Sequence, residues 1–162
     1  MKKFRISIVA LAVVALTAVT AAAALAAAQK KVVFAGKYAG TATTKVDGNT
    51  ATIAATSTGT GTLIGKGTMS GLGTGDTSQQ PCIPFTGTGS MKGTGGTITF
   101  KVIPGSSACG DEGGHNFTIT SHLAVLKATG KLAKAKGTLK LTGAYSHDDG
   151  SFSVKVSGTL TK

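Results

Sequence analysis

Ser151-Phe152-Ser153-Val154-Lys155-Val156-Ser157-Gly158-Thr159-Leu160 alternates apolar and polar side chains from end to end. A strand has a side-chain period of two, so Phe152, Val154, Val156 and Leu160 share one face and Lys155 takes the other. The same pattern precedes it twice. Over residues 116–127, Phe117, Ile119, Leu123 and Val125 fall on one face, and over 136–146 Leu139, Leu141 and Tyr145 do so. Working towards the N-terminus, turn residues delimit five weaker segments at 34–46, 50–57, 59–71, 84–91 and 97–103. Lys101, Lys140 and Lys155 lie on the polar faces.

Composition agrees with strands. Residues 29–162 hold all 24 Gly and a further 24 Thr, more than a third of that stretch. Thr is β-branched and favours strands, and frequent Gly weakens helices, which excludes an all-helical domain. Apolar residues recurring at alternate positions exclude a disordered chain. Eight segments joined by short connections suit antiparallel neighbours, and an even number in meander order closes on itself and removes exposed edges. The expected fold is all-β, an eight-stranded antiparallel up-and-down barrel. Its apolar-inside, polar-outside pattern is the inverse of a lipid-spanning porin.

The first 28 residues read differently. Met1-Lys2-Lys3-Phe4-Arg5 is a short positive stretch, residues 6–26 are uncharged and apolar, and Ala26-Ala27-Ala28 precedes Gln29. This is the pattern of a cleaved signal-peptide helix, with no Cys at the junction to carry a lipid. Residues 1–28 are thus expected as signal peptide and 29–162 as one barrel domain, secreted or held on the periplasmic or outer side of the envelope, with no membrane span after cleavage. In such a compartment Cys82 and Cys109, the two cysteines of the chain, most simply pair. In a meander the loops after strands three and five emerge at one end, so a bridge between cysteines in those loops is geometrically allowed.

The same bookkeeping separates the charges. The loops at the cysteine end carry Asp47, Asp76, Asp111, Glu112, Asp148 and Asp149, all six acids of the chain, with His115 and His147. The opposite end collects Lys30, Lys31, Lys37, Lys92, Lys127, Lys131, Lys134, Lys136 and Lys162. Residues 29–162 carry 14 Lys, no Arg and a formal net charge of +8. A basic face suits anionic partners. Lys92, Lys127, Lys131, Lys134 and Lys136 form the candidate patch for an anionic cell-envelope polysaccharide. Nucleic acid is not expected, because base and phosphate readout leans on Arg forks and stacked aromatics.

Motifs for chemistry are sparse. Asp111, Glu112, His115, His147, Asp148 and Asp149 lack a contiguous metal-ligand loop, and Asp148-Asp149-Gly150 reads as a hairpin turn. No G-x-S-x-G elbow occurs, and Gly65-Lys66-Gly67 lacks the rest of a phosphate-binding loop. His122 alternates with Thr118 and Thr120 on a polar face. No metal, cofactor or catalytic residue is assigned. Inside the barrel, large residues from strands five to eight face glycines such as Gly61, Gly65, Gly67, Gly87 and Gly89 from strands two to four. Such a barrel is either filled by side chains or holds one small ligand. Tyr38, Phe100, Phe117, Leu141, Tyr145 and Phe152 are the candidate cavity residues. By parity Tyr38 and Tyr145 are the inward ionisable groups.

Lys127-Ala128-Thr129-Gly130-Lys131-Leu132-Ala133-Lys134-Ala135-Lys136-Gly137-Thr138 is similar to the T-G-x-F-A-x-A-x-G-T turn of the allene oxide cyclase and dirigent barrels. Leu139-Lys140-Leu141-Thr142-Gly143 and Gly150-Ser151-Phe152-Ser153-Val154 extend the likeness over the C-terminal third. The resemblance implies an eight-stranded antiparallel barrel, some members of which bind a small apolar ligand inside. Leu132 stands where the family carries an aromatic, the doubled glycine before the threonine is missing, and neither family's catalytic residues map onto this chain. The expected role is non-catalytic binding, of a small apolar ligand in the barrel or an anionic polymer at its base. A cyclase or isomerase acting inside the barrel and a structural or adhesive surface protein are the alternatives.

Overall fold

The computed structural model describes residues 29–162, and the expected signal peptide lies outside them. The strands are β1 (Lys31–Asp47), β2 (Thr50–Gly61), β3 (Gly65–Asp76), β4 (Cys82–Gly93), β5 (Gly96–Gly110), β6 (Asn116–Ala128), β7 (Thr138–Ser146) and β8 (Ser151–Thr161). Each pairs antiparallel with the next, and β8 pairs back onto β1, giving the expected closed eight-stranded meander. The cysteine-bearing end is called the mouth and the other end the base.

Alternation sets the faces. Along β8, Phe152, Val154, Val156 and Leu160 are buried while Ser151, Ser153, Lys155 and Ser157 are exposed. Along β1, Phe34, Tyr38 and Ala42 are buried between exposed Lys37, Thr41 and Lys45. Among the described residues the outer wall is mostly Thr, Ser and Lys, with Val33, Val46, Leu72 and Leu126 as exposed apolar exceptions. Among the described residues no helix is long and apolar enough to cross a membrane.

Several boundaries differ from the sequence reading, including β3, which runs to Asp76 rather than to residue 71, and three differences change the account of the interior or the bridge. The break expected at residue 58 does not occur. β2 runs on through Thr58-Gly59-Thr60-Gly61, and the turn falls at Thr62-Leu63-Ile64, with Leu63 at φ 66°. Gly59 and Gly61 are not turn residues. They lie beneath the rings of Tyr38 and Phe34, where an added Cβ would come within 2.7–2.9 Å of ring atoms. β5 also does not end at residue 103, because Pro104-Gly105-Ser106 is an irregularity after which pairing with β6 resumes at Ser107. Cys82 and Cys109 consequently sit in strands rather than loops, directly opposite each other in the β4–β5 ladder, and are joined by an S–S bond of 2.06 Å. Such a bridge belongs to an oxidising, extracellular-type compartment. Finally, β7 starts at Thr138, and Lys136 makes an isolated bridge to Thr161 after a short 3-10 turn, η1 (Gly130–Leu132).

The base half is solid. Phe34, Ile64, Met91, Ile98, Leu132, Leu139 and Leu160 are each at most 1% exposed. Ile64 and Leu132 come from the β2–β3 and β6–β7 connections, so these loops fold inward as a plug. Truncating a plug residue such as Leu132 to alanine costs roughly 2–5 kcal/mol by the loss of burial and the void left behind. The connections are also tied together. Gly95 N–H donates to the Ile64 carbonyl at 2.8 Å, Lys131 N–H to the Gly95 carbonyl at 2.8 Å, and Lys162 N–H to the Lys30 carbonyl at 2.9 Å.

Candidate functional site

Above the plug the barrel is hollow. Large inward side chains elsewhere lie over a neighbouring strand's glycine and fill the space it leaves. The Phe100 ring covers Gly89 in this way, with its atoms 2.6–2.8 Å from where a Cβ would stand. Gly71 and Gly73 of β3 have no such cover. A Cβ at Gly71 would meet the Thr88 carbonyl O at 3.6 Å, and one at Gly73 the Thr86 carbonyl O at 3.1 Å and the Phe85 ring at 3.9 Å. The uncovered glycines leave a cavity of about 170 Å³ in the mouth half.

Its floor and walls are apolar, with Met69, Phe100, Leu123, Leu141 and Val154 below and Ala42, Ile53, Phe85, Ile119, Tyr145 and Phe152 above. On the β3–β4 side, where inward positions are glycines, the wall is bare backbone. Ile53, Phe85, Phe117 and Ile119 point inward yet keep part of their surface exposed, so the cavity opens at the mouth. Of the six side chains expected to line it, Phe100, Leu141, Tyr145 and Phe152 do so. Phe117 stands at the rim, its ring centroid 6.1 Å from that of Tyr145. Tyr38 lies deeper, packed against Gly36, Gly59 and Gly61 in the plug, where burial raises its phenol above the ordinary value.

Two polar features touch this apolar space. The Tyr145 and Thr44 hydroxyls are 3.0 Å apart, linking β7 to β1 at the rim. Ser121, 1% exposed, lines the cavity and donates to Ser106 Oγ at 3.1 Å. Ser106 in turn donates to the Ile103 carbonyl at 2.8 Å and accepts from His122 N–H at 3.0 Å. This network was missed in the sequence. A Pro-Gly pair inside an otherwise alternating segment is the signal of the bulge that turns Ser106 inward.

The mouth gathers the acids as expected. Asp47 and Asp76 end β1 and β3, Asp111 and Glu112 follow β5, and Asp148 and Asp149 join β7 to β8. Three of the six carboxylates are occupied in shaping turns. Asp111 accepts from the Asn116 side chain at 2.9 Å, the Asn116 N–H at 3.2 Å and the His115 N–H at 2.8 Å, and these donors hold it below the usual carboxylate range. Asp76 is lowered by the Ser78 hydroxyl and N–H, and Asp149 by the Ser151 N–H. His115 Nδ1 lies 2.8 Å from Asp148 Oδ1, which joins the β5–β6 loop to the β7–β8 turn, and this hydrogen bond raises the imidazole above its ordinary value. His147 packs edge-on to Tyr145 at 6.4 Å. Among the described residues no three His, Cys, Asp or Glu side chains come together as a metal site would need.

The base carries the opposite charge. Lys30 and Lys31 open β1, Lys66 opens β3, Lys92 and Lys127 close β4 and β6, Lys131, Lys134 and Lys136 stand in the β6–β7 connection, and Lys162 follows β8. All nine are exposed, and no acid lies at this end. Lys37, expected with them, sits higher on the wall opposite Lys155. Among the described residues the His115–Asp148 contact is the one ion pair found, so no base lysine is paired with a carboxylate.

No protein-family model matches this chain, and no curated protein matches its sequence.

Proposed function

We propose that the protein is a secreted, non-catalytic barrel that holds one small apolar molecule in the cavity beneath its mouth. The observation that carries this reading is the uncovered pair Gly71 and Gly73, which leaves about 170 Å³ of apolar space where the base half is filled. An apolar cavity of roughly 150 Å³ is known to take a benzene-sized molecule, so the ligand class is an apolar or weakly polar compound of about six to ten non-hydrogen atoms. Ser121 Oγ, already donating to Ser106, has acceptor capacity for one ligand hydroxyl or N–H. An enzyme would need an acid or base in reach of the ligand, and among the described residues Tyr145 is the one titratable side chain lining the cavity. The resemblance of the Lys127–Thr138 stretch to allene oxide cyclase and dirigent barrels agrees with a ligand-holding barrel and supplies no residue role.

A native mass spectrum of the protein, purified without denaturation from the cells that make it, tests the proposal. Extra mass that leaves on denaturation supports a retained ligand. A bare oxidised chain, together with no thermal stabilisation by benzene or similar apolar probes, overturns it.

A further inference from the structure

We infer that the base is a docking face for an anionic lipid surface, which holds the barrel with its mouth turned away from that surface. Nine lysines and no acid crowd this end, while all six acids are at the other. Among the described residues none of these lysines is paired with a carboxylate, and Lys162 Nζ donates to the Lys131 carbonyl at 2.8 Å. The separation gives the molecule a charge axis, so a negative surface attracts one end and repels the other.

Charge alone would serve any polyanion. The base adds apolar side chains that a soluble polymer has no use for. Leu63 stands at the tip of the β2–β3 turn, 40% exposed, and Val33 and Leu126 lie within three residues of the base-side ends of β1 and β6, 71% and 55% exposed. Leu126 is the residue skipped where β6 bulges against Thr99 and Phe100, which leaves it outside the ladder. Exposed leucine and valine on a lysine-rich end are the composition of an interfacial surface, with ammonium groups at the headgroups and apolar tips just below them. The connection bearing Leu63 is hydrogen-bonded through the β4–β5 turn to the β6–β7 connection, and Val33 and Leu126 are held in strands, so the face loses little freedom on docking.

The closed barrel and the core found among the described residues lie within residues 29–162, and this chain is the one to test. Sedimentation with equimolar phosphatidylglycerol–phosphatidylcholine vesicles should capture it, and phosphatidylcholine vesicles should not. Juxtamembrane lysines each contribute about fivefold to such binding, so Lys131→Gln, Lys134→Gln and Lys136→Gln together should weaken it about a hundredfold at low salt. Removing the same charge elsewhere, with Lys45→Gln, Lys101→Gln and Lys155→Gln, should change it far less. Leu63→Ser should cost severalfold and sharpen the salt dependence. The inference is overturned by equal capture on both vesicle types, by no capture on either, or by equal losses from the two lysine triples. Inorganic polyphosphate binding as tightly as the vesicles, with Leu63→Ser without effect, overturns it in favour of a polymer site. Far-UV circular dichroism of each variant separates lost binding from lost fold.

Discussion

Gly71→Val is the most informative single change to this molecule, because it takes up part of the cavity without its Cβ pressing on the wall. At position 71 the new Cβ has one neighbour in range, the Thr88 carbonyl O at 3.6 Å, an ordinary van der Waals contact. Three added carbons occupy about 90 Å³ if each takes the ~30 Å³ share of a water-sized group. That is about half of the 170 Å³ available. Burying them contributes about 2.4 kcal/mol at ~0.8 kcal/mol per carbon, and restricting the unfolded chain adds about 0.4–1 kcal/mol. Incomplete contact on the open side offsets part of this, leaving a net gain of about 1–2 kcal/mol. For a domain of this size 1 kcal/mol moves Tm by about 3–4 °C, so the variant should melt about 3–8 °C higher. The assay is thermal unfolding followed by circular dichroism, with and without benzene. The parent should be stabilised by the probe through ordinary linkage, and the valine variant should not. A lower Tm for the variant, or an equal benzene shift in both proteins, would refute the cavity as described.

Gly89→Ala is the counterpart, since its Cβ would lie 2.5 Å from the Ser70 carbonyl O and 2.6 Å from the Phe100 ring. Chemical denaturation should show a loss of about 1–3 kcal/mol, and an unchanged midpoint would contradict the packing of Phe100 over β4. Replacing Cys82 and Cys109 by alanine releases a link across 27 positions, which in the chain-entropy treatment costs about 3–4 kcal/mol. Tm should fall by about 9–16 °C with the strand signal intact, whereas finding two free thiols in the purified protein would remove the premise. Ser106→Ala takes away the partner of both Ser121 and His122 N–H and should cost about 1–3 kcal/mol in unfolding titrations. The His115 pKa is raised by Asp148, so their pairing stabilises the fold fully below the ordinary imidazole value of 6.5 and fades as pH rises through the folded value. Asp148→Asn should therefore lower Tm at pH 5.5 and have little effect at pH 9, and an equal effect at both would mean the contact is not ionic.

Strand number, order and facing were readable from the chain because alternation survives wherever a face carries large side chains, as in Phe117, Ile119 and Leu123 or Phe152, Val154 and Val156. The reading failed where glycine replaced them. Along Thr58-Gly59-Thr60-Gly61 nothing apolar marks the inner face, so the residues resemble a turn, while the actual turn uses Leu63 in a left-handed conformation that sequence gives no reason to expect. At Pro104-Gly105 a strand seemed to end because bulge and terminus share the same residues. Which glycines are covered is a question of cross-strand neighbours. Gly89 and Gly71 sit opposite each other in the β3–β4 ladder, yet one lies under Phe100 and the other faces empty space. No pattern along the chain distinguishes them. The charge separation was legible because loop parity alone decides it.

The seam between β1 and β8 has a kinetic meaning. Its eleven residue pairs run from Lys31 with Thr161 to Thr41 with Ser151, joining the two ends of the domain. Closing a loop of that length costs only logarithmically more than a short one, but the search for it is slow. Until β8 arrives, β1 and β7 each present a long row of unpaired amides and carbonyls, the condition under which strands find partners in other chains. Synthesis has to reach Thr161 before either the plug or the mouth can be completed. A chain cut just before Ser151 would be a sheet with two open edges.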